Sequence, residues 1–342
     1  MSAFSPLRIE KVTGNMNANK PFMLLPAAKD YLWGGSRLND DFNLGIPVSP
    51  FAEAWACSTH PDGVSGVLGQ ECSLSELLSA HPDYLGSHVL QTTEGRAELP
   101  IMIKLIDAKS DLSVQVHPDD EYAGKYEGQW GKTEMWYVLG AQKASELVYG
   151  FNRDTTADEV RERINAGSIS TLLNHVPVHK DDVFYIESGT VHAIGAGCLV
   201  AEIQQSSNLT YRLYDYDRVD KYGNRRELHI EKALEVSRLE ESKSPRQPMR
   251  VLKYKSGYAS ELLTRCKYFQ VERMLLNTEN RKMAEFQTSN NSFHALLCVD
   301  GCGVLFGEDF MLNFFKGDCI FVPADSIPMK IHGKSQILNV SC

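Results

Sequence analysis

Short apolar runs separated by turns are the feature that most restricts what this chain can fold into. They lie at residues 22–25, 101–106, 113–117, 134–139 and 146–150. Runs of this length, bounded by turn residues, are typical of a β-sandwich or barrel. Helical periodicity is confined to three segments, Ser73–Ala80, Thr156–Ala166 and Ile230–Val236. The sequence therefore predicts a mainly β fold with few helices.

Three of the β-like stretches carry side chains that can ligate a metal. Gln115 and His117 lie in the stretch Ser-Val-Gln-Val-His, and residues two apart in a strand share a face. Glu134 heads a second apolar run, and His192 follows a third after a Ser-Gly turn. Three strands of a barrel would bring these side chains to one interior point. One amide, one carboxylate and two imidazoles suit a divalent ion such as Zn²⁺, with room for water or substrate.

Each of these four residues also has an interpretation without a metal. A histidine in a strand is often structural or on the surface, and Gln115 could orient a metal-bound water instead of binding the metal. Glu134 could form a surface salt bridge, but an exposed position is awkward at the head of an apolar strand. Burial of its carboxylate is costly without a partner, and a metal would supply one.

Composition and charge exclude several classes of protein. At 342 residues the chain can bury the core of one large or two modest domains. The net charge of −9 argues against a nucleic-acid or membrane partner, although a local basic pocket for a phosphate remains compatible with it. No apolar run reaches the roughly 18 residues of a transmembrane helix, and the first residues lack a signal-peptide pattern. The eight cysteines are scattered without a CxxC pair, which predicts buried thiols and a cytoplasmic protein.

The changes in composition along the chain predict its domains. Residues 1–21 are polar and aperiodic, and we expect a disordered N-terminal extension. Residues 22–240 are predicted to form the catalytic domain, with a short helical insertion near 155–175. The segment 240–250 carries two prolines and many charges, which is typical of a linker. Residues 251–342 are predicted to form a C-terminal domain.

A weak internal repeat supports two related domains. Lys180–His192 aligns without gaps on Lys316–Pro328, and upstream of this segment Glu134 falls near His294. His192 corresponds to Pro328, which cannot bind a metal. The second copy is therefore predicted to be the same barrel with its ligand set lost, although any β-hairpin with a Gly-Asp turn would align in a similar way.

The order of seven motifs resembles type I mannose-6-phosphate isomerase in its short bacterial form, which lacks a large helical insertion. They are Trp33-Gly34-Gly35, Glu53-Ala54-Trp55, His60-Pro61, Gln115-Val116-His117-Pro118, Gly131-Lys132-Thr133-Glu134, Gly189-Thr190-Val191-His192-Ala193 and Asn208-Leu209-Thr210-Tyr211-Arg212-Leu213-Tyr214-Asp215. The resemblance covers residues 22–342. It implies a double cupin, that is, two jelly-roll β-barrels with a small helical insertion, the C-terminal barrel being degenerate.

The resemblance also implies roles for particular residues. Gln115, His117, Glu134 and His192 correspond to the ligands of one metal, usually zinc, in the first barrel. Arg212 corresponds to the catalytic-site arginine. Lys132 corresponds to the lysine before the metal-binding glutamate. Many longer members carry a histidine before that lysine, whereas this chain has Gly131, so a mechanism that needs the imidazole is not implied here.

Further candidates are charged or aromatic residues in apolar surroundings. Lys104 interrupts the run 101–106, and a buried lysine needs a partner or a function, so we predict that it lines the pocket. Glu202 lies in a similar run and is, with Lys132, a candidate acid or base; Lys132 could equally be a solvated surface residue. Arg212 can fork around a phosphate or an enediolate, or pair with Asp215 or Asp217.

Three short segments could contribute to the mouth of the pocket. His60 is a candidate substrate-binding residue, and Ser58 and Glu53 could accompany it, although a loop role is equally compatible with all three. Trp33, in a tight Trp-Gly-Gly turn, is a further candidate for substrate binding or for a structural role. Gly195-Ala196-Gly197 is not a phosphate loop, because neither Gly-Lys-Ser/Thr nor a helix follows it.

The resemblance implies that the protein interconverts mannose 6-phosphate and fructose 6-phosphate. A proton would move between C1 and C2 through an enediol, with a metal polarising the sugar oxygens. The expected partner is then a small sugar phosphate, with no nucleic acid or membrane, and the protein a monomer or weak homodimer. Two alternatives remain, since cupin folds serve many purposes. One is a non-catalytic sugar-binding or regulatory protein and the other a cupin oxygenase, which would not need Arg212 or Lys132.

Overall fold

The computed structural model of the protein describes residues 19–220, 222–243, 250–279 and 282–342. Most of the N-terminal extension (1–21) and of the linker (240–250) lies outside the described residues, so these two predictions stay untested. Within the described residues the chain is built mainly from strands with a few short helices, as predicted. No helix in this part of the chain is long and apolar enough to cross a membrane.

The described residues form twenty-one strands and eight short helices. The strands are β1 Phe22–Leu25, β2 Ala27–Lys29, β3 Glu53–Cys57, β4 Gly66–Val67, β5 Ile101–Asp107, β6 Val114–Val116, β7 Glu134–Ala141, β8 Glu146–Phe151, β9 Leu173–Pro177, β10 Val183–Ile186, β11 His192–Ile194, β12 Cys198–Gln205, β13 Tyr211–Tyr214, β14 Lys253–Lys255, β15 Tyr258–Arg265, β16 Gln270–Asn277, β17 Ala284–Phe286, β18 His294–Phe306, β19 Met311–Phe315, β20 Cys319–Val322 and β21 Met329–Ser341. The helices are α1 Arg37–Asp40, α2 Leu74–Ala80, α3 Ser87–Thr92, α4 Asp120–Tyr126, α5 Ala157–Asn165 and α6 Ile230–Val236, with 3-10 helices at Pro82–Leu85 and Ile169–Leu172.

The chain divides into two compact units. The site unit comprises Ala28–Trp55 and Ile101–Arg250. The C-terminal unit comprises the chain up to Ala27, Ala56–Pro100 and Val251–Cys342. This differs from the contiguous boundaries 22–240 and 251–342, because residues 22–27 and 56–100 group with the C-terminal unit.

Non-local pairing explains why the segments 22–27 and 56–100 join the C-terminal unit. β1 pairs antiparallel with β20, with Phe22 opposite Phe321. The backbone N–H of Ser87, at the start of α3, donates to the carbonyl of Asn290 over 2.9 Å. Proximity along the chain therefore does not decide the grouping, since these contacts span more than 200 residues.

The site unit consists of two sheets. One has the order β10-β7-β12-β5-β3-β2 and the other β13-β6-β11-β8-β9. Strand alternation places Val114 and Val116 in a core with Val160 and Ile164 of α5 and with Ala233 of α6. Gln115 therefore faces the other side of β6, as the Ser-Val-Gln-Val-His pattern predicted. The helical insertion expected near 155–175 contains α5 and the 3-10 helix at Ile169–Leu172.

The C-terminal unit repeats local features of the site unit. Its strands follow the order β14-β15-β16-β21-β18-β20-β1-β4, with β17 beside β21 and β19 beside β18. Glu134, the first residue of β7, lies opposite Ile186 of β10. His294, the first residue of β18, lies opposite Val322 of β20, and Ile186 and Val322 are aligned in the internal repeat. The repeat is therefore structural, with His294 in the place of Glu134.

Backbone conformation supports the same alignment. The turn before β10 has Asp181 at φ 72°, and the turn before β20 has Gly317 at φ 97°. The turn after β10 has Gly189 at φ 83°, and its counterpart Asp325 has φ 52°. Left-handed backbone is uncommon outside glycine, so its recurrence at two aligned positions argues against a chance match of hairpins.

Candidate metal centre and active site

Three of the predicted site residues form one row across a sheet. β6 lies between β11 and β13, with Gln115 directly opposite His192 on one side and Arg212 on the other. Residues directly opposite one another in an antiparallel pair point to the same face. The register therefore brings His192, Gln115 and Arg212, which are far apart in sequence, to the same face of the five-stranded sheet.

His117, Glu134 and His192 meet in the interior of the site unit. Their potential ligand atoms all lie within 4.8 Å of one another, and all three side chains are buried. Glu134 Oε1 is 3.3 Å from His192 Nε2, and Glu134 Oε2 is 3.6 Å from His117 Nε2. Two imidazole nitrogens and a carboxylate that converge in this way match the donor set of a divalent-metal site.

The donor atoms of this trio lack the hydrogen bonds that buried polar atoms usually have. His192 Nε2 and Glu134 Oε1 are buried without a hydrogen-bond partner, and Glu134 Oε2 has only Lys132 Nζ, 3.1 Å away. The other ring nitrogen of His192, Nδ1, lies 2.8 Å from the carbonyl of Thr190. A hydrogen bond there would orient the ring and leave Nε2 as the ligand atom. Unsatisfied atoms in a buried polar cluster call for an ion or another partner, so the residues present fit a bound metal.

Burial sets the protonation of the trio. It lowers the pKa of His192 to about 4, against the raising effect of the Thr190 carbonyl. Burial, helped by the charge of Lys132, also lowers the pKa of His117 well below its ordinary value. Both imidazoles are therefore neutral at pH 7, which is the form that binds metals. Burial raises the pKa of Glu134 to about 7, with a smaller contribution from Glu202.

Lys132 is the positive charge nearest to these donors. Its Nζ lies 3.1 Å from Glu134 Oε2 and 3.1 Å from His117 Nε2. The side chain is buried, so the alternative of a solvated surface lysine does not hold. A divalent ion at the trio would compete with this ammonium for the same carboxylate.

Gly131 stands where many longer members of the family that the sequence resembles carry a histidine, and the backbone around it explains the difference. A Cβ at position 131 would come within 2.4 Å of the backbone carbonyl carbon of Asp119. The loop is held there because the Gly131 N–H donates to the Asp120 carboxylate and the Lys132 N–H to the Pro118 carbonyl. A histidine, or any other side chain, cannot occupy position 131 without movement of this backbone.

A second buried polar group lies on the six-stranded sheet. Glu202 of β12 is opposite both Trp136 of β7 and Lys104 of β5. Lys104 Nζ lies 3.3 Å from Glu202 Oε1 and 3.8 Å from Glu53 Oε2. Burial would lower the pKa of Lys104, but Glu53 and Glu202 together raise it above its ordinary value. Lys104 therefore remains a buried cation that links two carboxylates, and its place in the lining of a substrate pocket stays a prediction.

Glu202 has the surroundings of a buried anion. Burial alone would raise its pKa, but Lys104 and then Lys132 lower it below the ordinary value. Trp136 Nε1 donates a 2.9 Å hydrogen bond to Glu202 Oε2. Glu53 has a similar partner in Trp55, whose Nε1 donates to Glu53 Oε2 over 2.6 Å.

Arg212 forms different contacts from those expected of a simple ion pair. Its Nη1 donates to the carbonyl of Glu227 over 2.9 Å, and its Nε lies 3.3 Å from Ser113 Oγ. Asp215 is instead bound by Arg218 and Arg226. The alternative in which Arg212 serves as the partner of Asp215 is therefore not what the structure shows.

Two further candidates for substrate binding, Trp33 and His60, have surroundings of a different kind. Trp33 is 4% exposed and belongs to the core of the site unit with Ile106 and Phe184, so it occupies a structural position. His60 and Ser58 belong to the C-terminal unit. There Ser58 Oγ accepts from the backbone N–H of His60, which is the loop arrangement left open by the sequence.

The structure adds two aromatic residues that the sequence analysis did not single out. Trp136 contacts Glu202 as described, and its ring packs edge-on against His192 with centroids 5.3 Å apart. Tyr149 of β8 lies directly opposite His192. Trp136 could have been found from its position two residues after Glu134, on the same face of the strand. Nothing local to Tyr149 indicates its partner, because that pairing depends on the sheet register.

Known proteins match the chain over nearly its whole length. The catalytic domain of phosphomannose isomerase type I matches residues 22–149, and the cupin domain of mannose-6-phosphate isomerase matches residues 259–342. Mannose-6-phosphate isomerase ManA of Bacillus subtilis (strain 168) is 36% identical over 323 residues, covering 93% of this chain and 98% of that protein. A mannose-6-phosphate isomerase of Streptococcus mutans is 42% identical over 220 residues, covering 64% of this chain and 67% of that protein.

A solved structure gives the same result for the fold. The crystal structure of the mannose 6-phosphate isomerase from Bacillus subtilis superimposes with a TM-score of 0.84 at 34% identity, covering 94% of this chain and 99% of that chain. The likeness extends over both units, so the prediction of a mainly β double cupin is confirmed.

The two jelly-roll units, with buried His, Glu and Lys groups in one of them, define the class as a cupin enzyme with a candidate metal centre. The extent of identity to ManA then places the protein within that class. The chain belongs to the type I phosphomannose isomerase family, as its motifs predicted.

Proposed function

We propose that the protein is a metal-dependent isomerase that interconverts mannose 6-phosphate and fructose 6-phosphate through an enediol. The observation that carries the proposal is the buried trio of His117, Glu134 and His192, together with the separate buried pair of Glu202 and Lys104. An aldose–ketose isomerisation needs a group to move a proton and a means of stabilising charge on the sugar oxygens. The pair of Glu202 and Lys104 would supply the proton-moving group, and the trio would hold an ion that stabilises the charge.

The residues proposed to hold the metal are Gln115, His117, Glu134 and His192. Zinc is the proposed ion, one per chain, because two imidazoles and a carboxylate suit it. When bound, a divalent ion polarises sugar oxygens and stabilises developing negative charge. Gln115 is included because the register places it beside His192 on the same face.

Glu202 is the proposed proton carrier. The cations Lys104 and Lys132 oppose the effect of burial and hold the pKa of Glu202 below its ordinary value, so the carboxylate is anionic near neutral pH and can accept a proton. It would take the proton from C2 of mannose 6-phosphate and return it to C1 of the enediol, while the proton of the C2 hydroxyl passes to O1, so no oxidant or reductant is needed. Lys132 is the second candidate for this role, because its ammonium is buried beside the proposed ligands.

Arg212 is proposed to stabilise negative charge on the reacting sugar. It lies beside Gln115 in the register of β13 and β6. Burial and the neighbouring Arg226 lower its pKa, but a guanidinium stays charged at any physiological pH. Its planar fork can hold two oxygens at once, which an ammonium cannot do.

The further expectations about the protein's surroundings remain part of the proposal. A sugar phosphate is the proposed partner, without nucleic acid or membrane, for a monomer or weak homodimer. All eight cysteines are present as thiols in the described residues. This accords with the cytoplasm as the proposed compartment.

A coupled assay for fructose 6-phosphate tests the proposal. We expect turnover of mannose 6-phosphate by the purified protein, loss of turnover after treatment with a chelator, and recovery on addition of Zn²⁺. The buried acid–base pair favours the enzyme over a sugar-binding protein, which has no need of it. Binding of the sugar without turnover would favour the binding protein, and turnover that resists chelation would contradict the metal.

A further inference from the structure

Trp136 touches both halves of the proposed site. Its indole Nε1 donates to Glu202 Oε2 over 2.9 Å, and its ring meets His192 edge-on at 75° with centroids 5.3 Å apart. The side chain is 1% exposed. One rigid aromatic side chain therefore contacts both the proposed proton carrier and a proposed metal ligand.

The sheet register fixes this arrangement. Trp136 follows Glu134 by two residues on β7, so both side chains point to the same face. It lies directly opposite Glu202 on β12, and Lys104 lies opposite Glu202 on the other side. The two carboxylate oxygens consequently have different partners, Trp136 at Oε2 and Lys104 at Oε1. With both oxygens held, the carboxylate cannot rotate without the loss of one contact.

We propose that Trp136 is a positioning residue for the isomerisation, holding the Glu202 carboxylate and the His192 imidazole in a fixed mutual orientation. The inference rests on the proposed function, since it assigns Glu202 a part in proton transfer. Catalysis depends on such pre-set geometry, because a misplacement of about 1 Å at a reacting group can reduce a rate by about 100-fold. A competing interpretation is that Trp136 only fills the core, where it packs with Phe184 and Val200.

The first test removes the donor and keeps an aromatic ring. We expect Trp136→Phe to lower kcat by roughly 10-fold, equivalent to about 1.4 kcal/mol in the activation barrier. KM and zinc content should change by less than about 2-fold, because the contact orients the reacting group and leaves the ligands in place. Phe184→Leu is the matched control, since Phe184 lies opposite Trp136 in the same core without a polar contact. It should lower Tm and leave kcat unchanged.

A double-mutant cycle separates positioning from packing. If Trp136 acts through Glu202, Trp136→Phe added to Glu202→Gln should cause little further loss of kcat, since the proton carrier is already gone. If the fold-losses of kcat in the two single variants multiply in the double variant, the inference is overturned and the core-filling interpretation is favoured. Should Trp136→Phe not fold, the same cycle with Trp136→Tyr, which keeps a large ring and lacks the indole N–H, decides between additive and non-additive losses of kcat.

The wild-type assay separates this inference from the proposed function. Absence of isomerase activity in the zinc-loaded wild-type chain would overturn the proposed function and the role of Trp136 with it. An active wild type with multiplying losses in the cycle would overturn only the role of Trp136.

Discussion

At the scale of single residues, burial prepares the proposed ligands. His117 and His192 have lowered pKa values because they are removed from water, so no proton competes with a metal for them at neutral pH. The same burial leaves His192 Nε2 and Glu134 Oε1 without hydrogen bonds. A cluster that is costly on its own becomes favourable once an ion satisfies it.

Removal of either imidazole tests the ligand assignment. We expect His117→Ala or His192→Ala to abolish turnover and weaken zinc binding while the fold is largely retained, since the core of the site unit is apolar. Zinc content by elemental analysis, turnover and circular dichroism check the three parts. Near-normal turnover with bound zinc in either variant would show that the assignment is wrong.

A substitution at Arg212 separates the contribution of its positive charge from that of its planar geometry. Arg212→Lys keeps the charge and loses the planar fork, and we expect kcat to fall by roughly 100-fold or more, the scale seen when one electrostatic donor is removed. Zinc content should not change, because Arg212 is not a proposed ligand. Steady-state kinetics give the answer: a raised KM with an unchanged kcat would make Arg212 a phosphate anchor instead.

At the scale of structural elements, sheet register assembles the site and one loop constrains it. Gln115, His192 and Arg212 come together because β6 pairs with both β11 and β13. The loop from Gly131 to Glu134 has no room for a side chain at its first position.

Two glycines near this loop give a matched pair for a stability measurement. We expect Gly131→Ala to destabilise the protein by about 1–3 kcal/mol, the range for overpacking, because its Cβ would meet the Asp119 backbone at 2.4 Å. Gly124 lies in α4 with nothing within 4 Å of an added Cβ, so Gly124→Ala should stabilise the helix by up to about 1 kcal/mol. Urea unfolding of both variants checks the prediction, which fails if Gly131→Ala is as stable as the wild type.

Much at this scale could be predicted from local pattern. The alternation in Ser-Val-Gln-Val-His predicted that Gln115 and the valines lie on opposite faces of the strand. A charge inside an apolar run indicated Lys104 and Glu202 as candidate site residues. Long-range pairing could not be read in this way. Neither the grouping of residues 56–100 with the C-terminal unit nor the partners of Asp215 follow from any local signal, because each depends on strands and loops distant in sequence.

At the scale of the whole molecule, two copies of one barrel have diverged in chemistry. His294 takes the place of Glu134, and Pro328 that of His192. His294 Nδ1 lies 2.7 Å from Asn339 Oδ1, a neutral arrangement that needs no ion.

His294 gives the C-terminal unit a predictable response to acid. Burial lowers its pKa below the ordinary value, against the raising effect of Asn339 and Glu272. Above a pH of about 6.5 the ring is neutral in both the folded and the unfolded chain. As pH falls below that value, the unfolded chain takes up a proton before the buried ring does. Protonation therefore favours the unfolded chain, and the free energy of unfolding decreases.

The variant His294→Gln isolates this response. It removes the titrating ring and retains an amide that can reach Asn339. We expect the urea midpoint to fall less between pH 7 and about 5 in the variant than in the wild type. Equal falls in the two proteins would show that His294 does not contribute.

The proposed function rests on one metal in the site unit that supports isomerisation. Titration of Zn²⁺ into chelator-treated protein, with fructose 6-phosphate formation followed in a coupled assay, tests it most directly. We predict that turnover rises in proportion to added zinc and reaches its maximum at one equivalent per chain. Full turnover before zinc is added, or a rise that continues to two equivalents, would contradict the account.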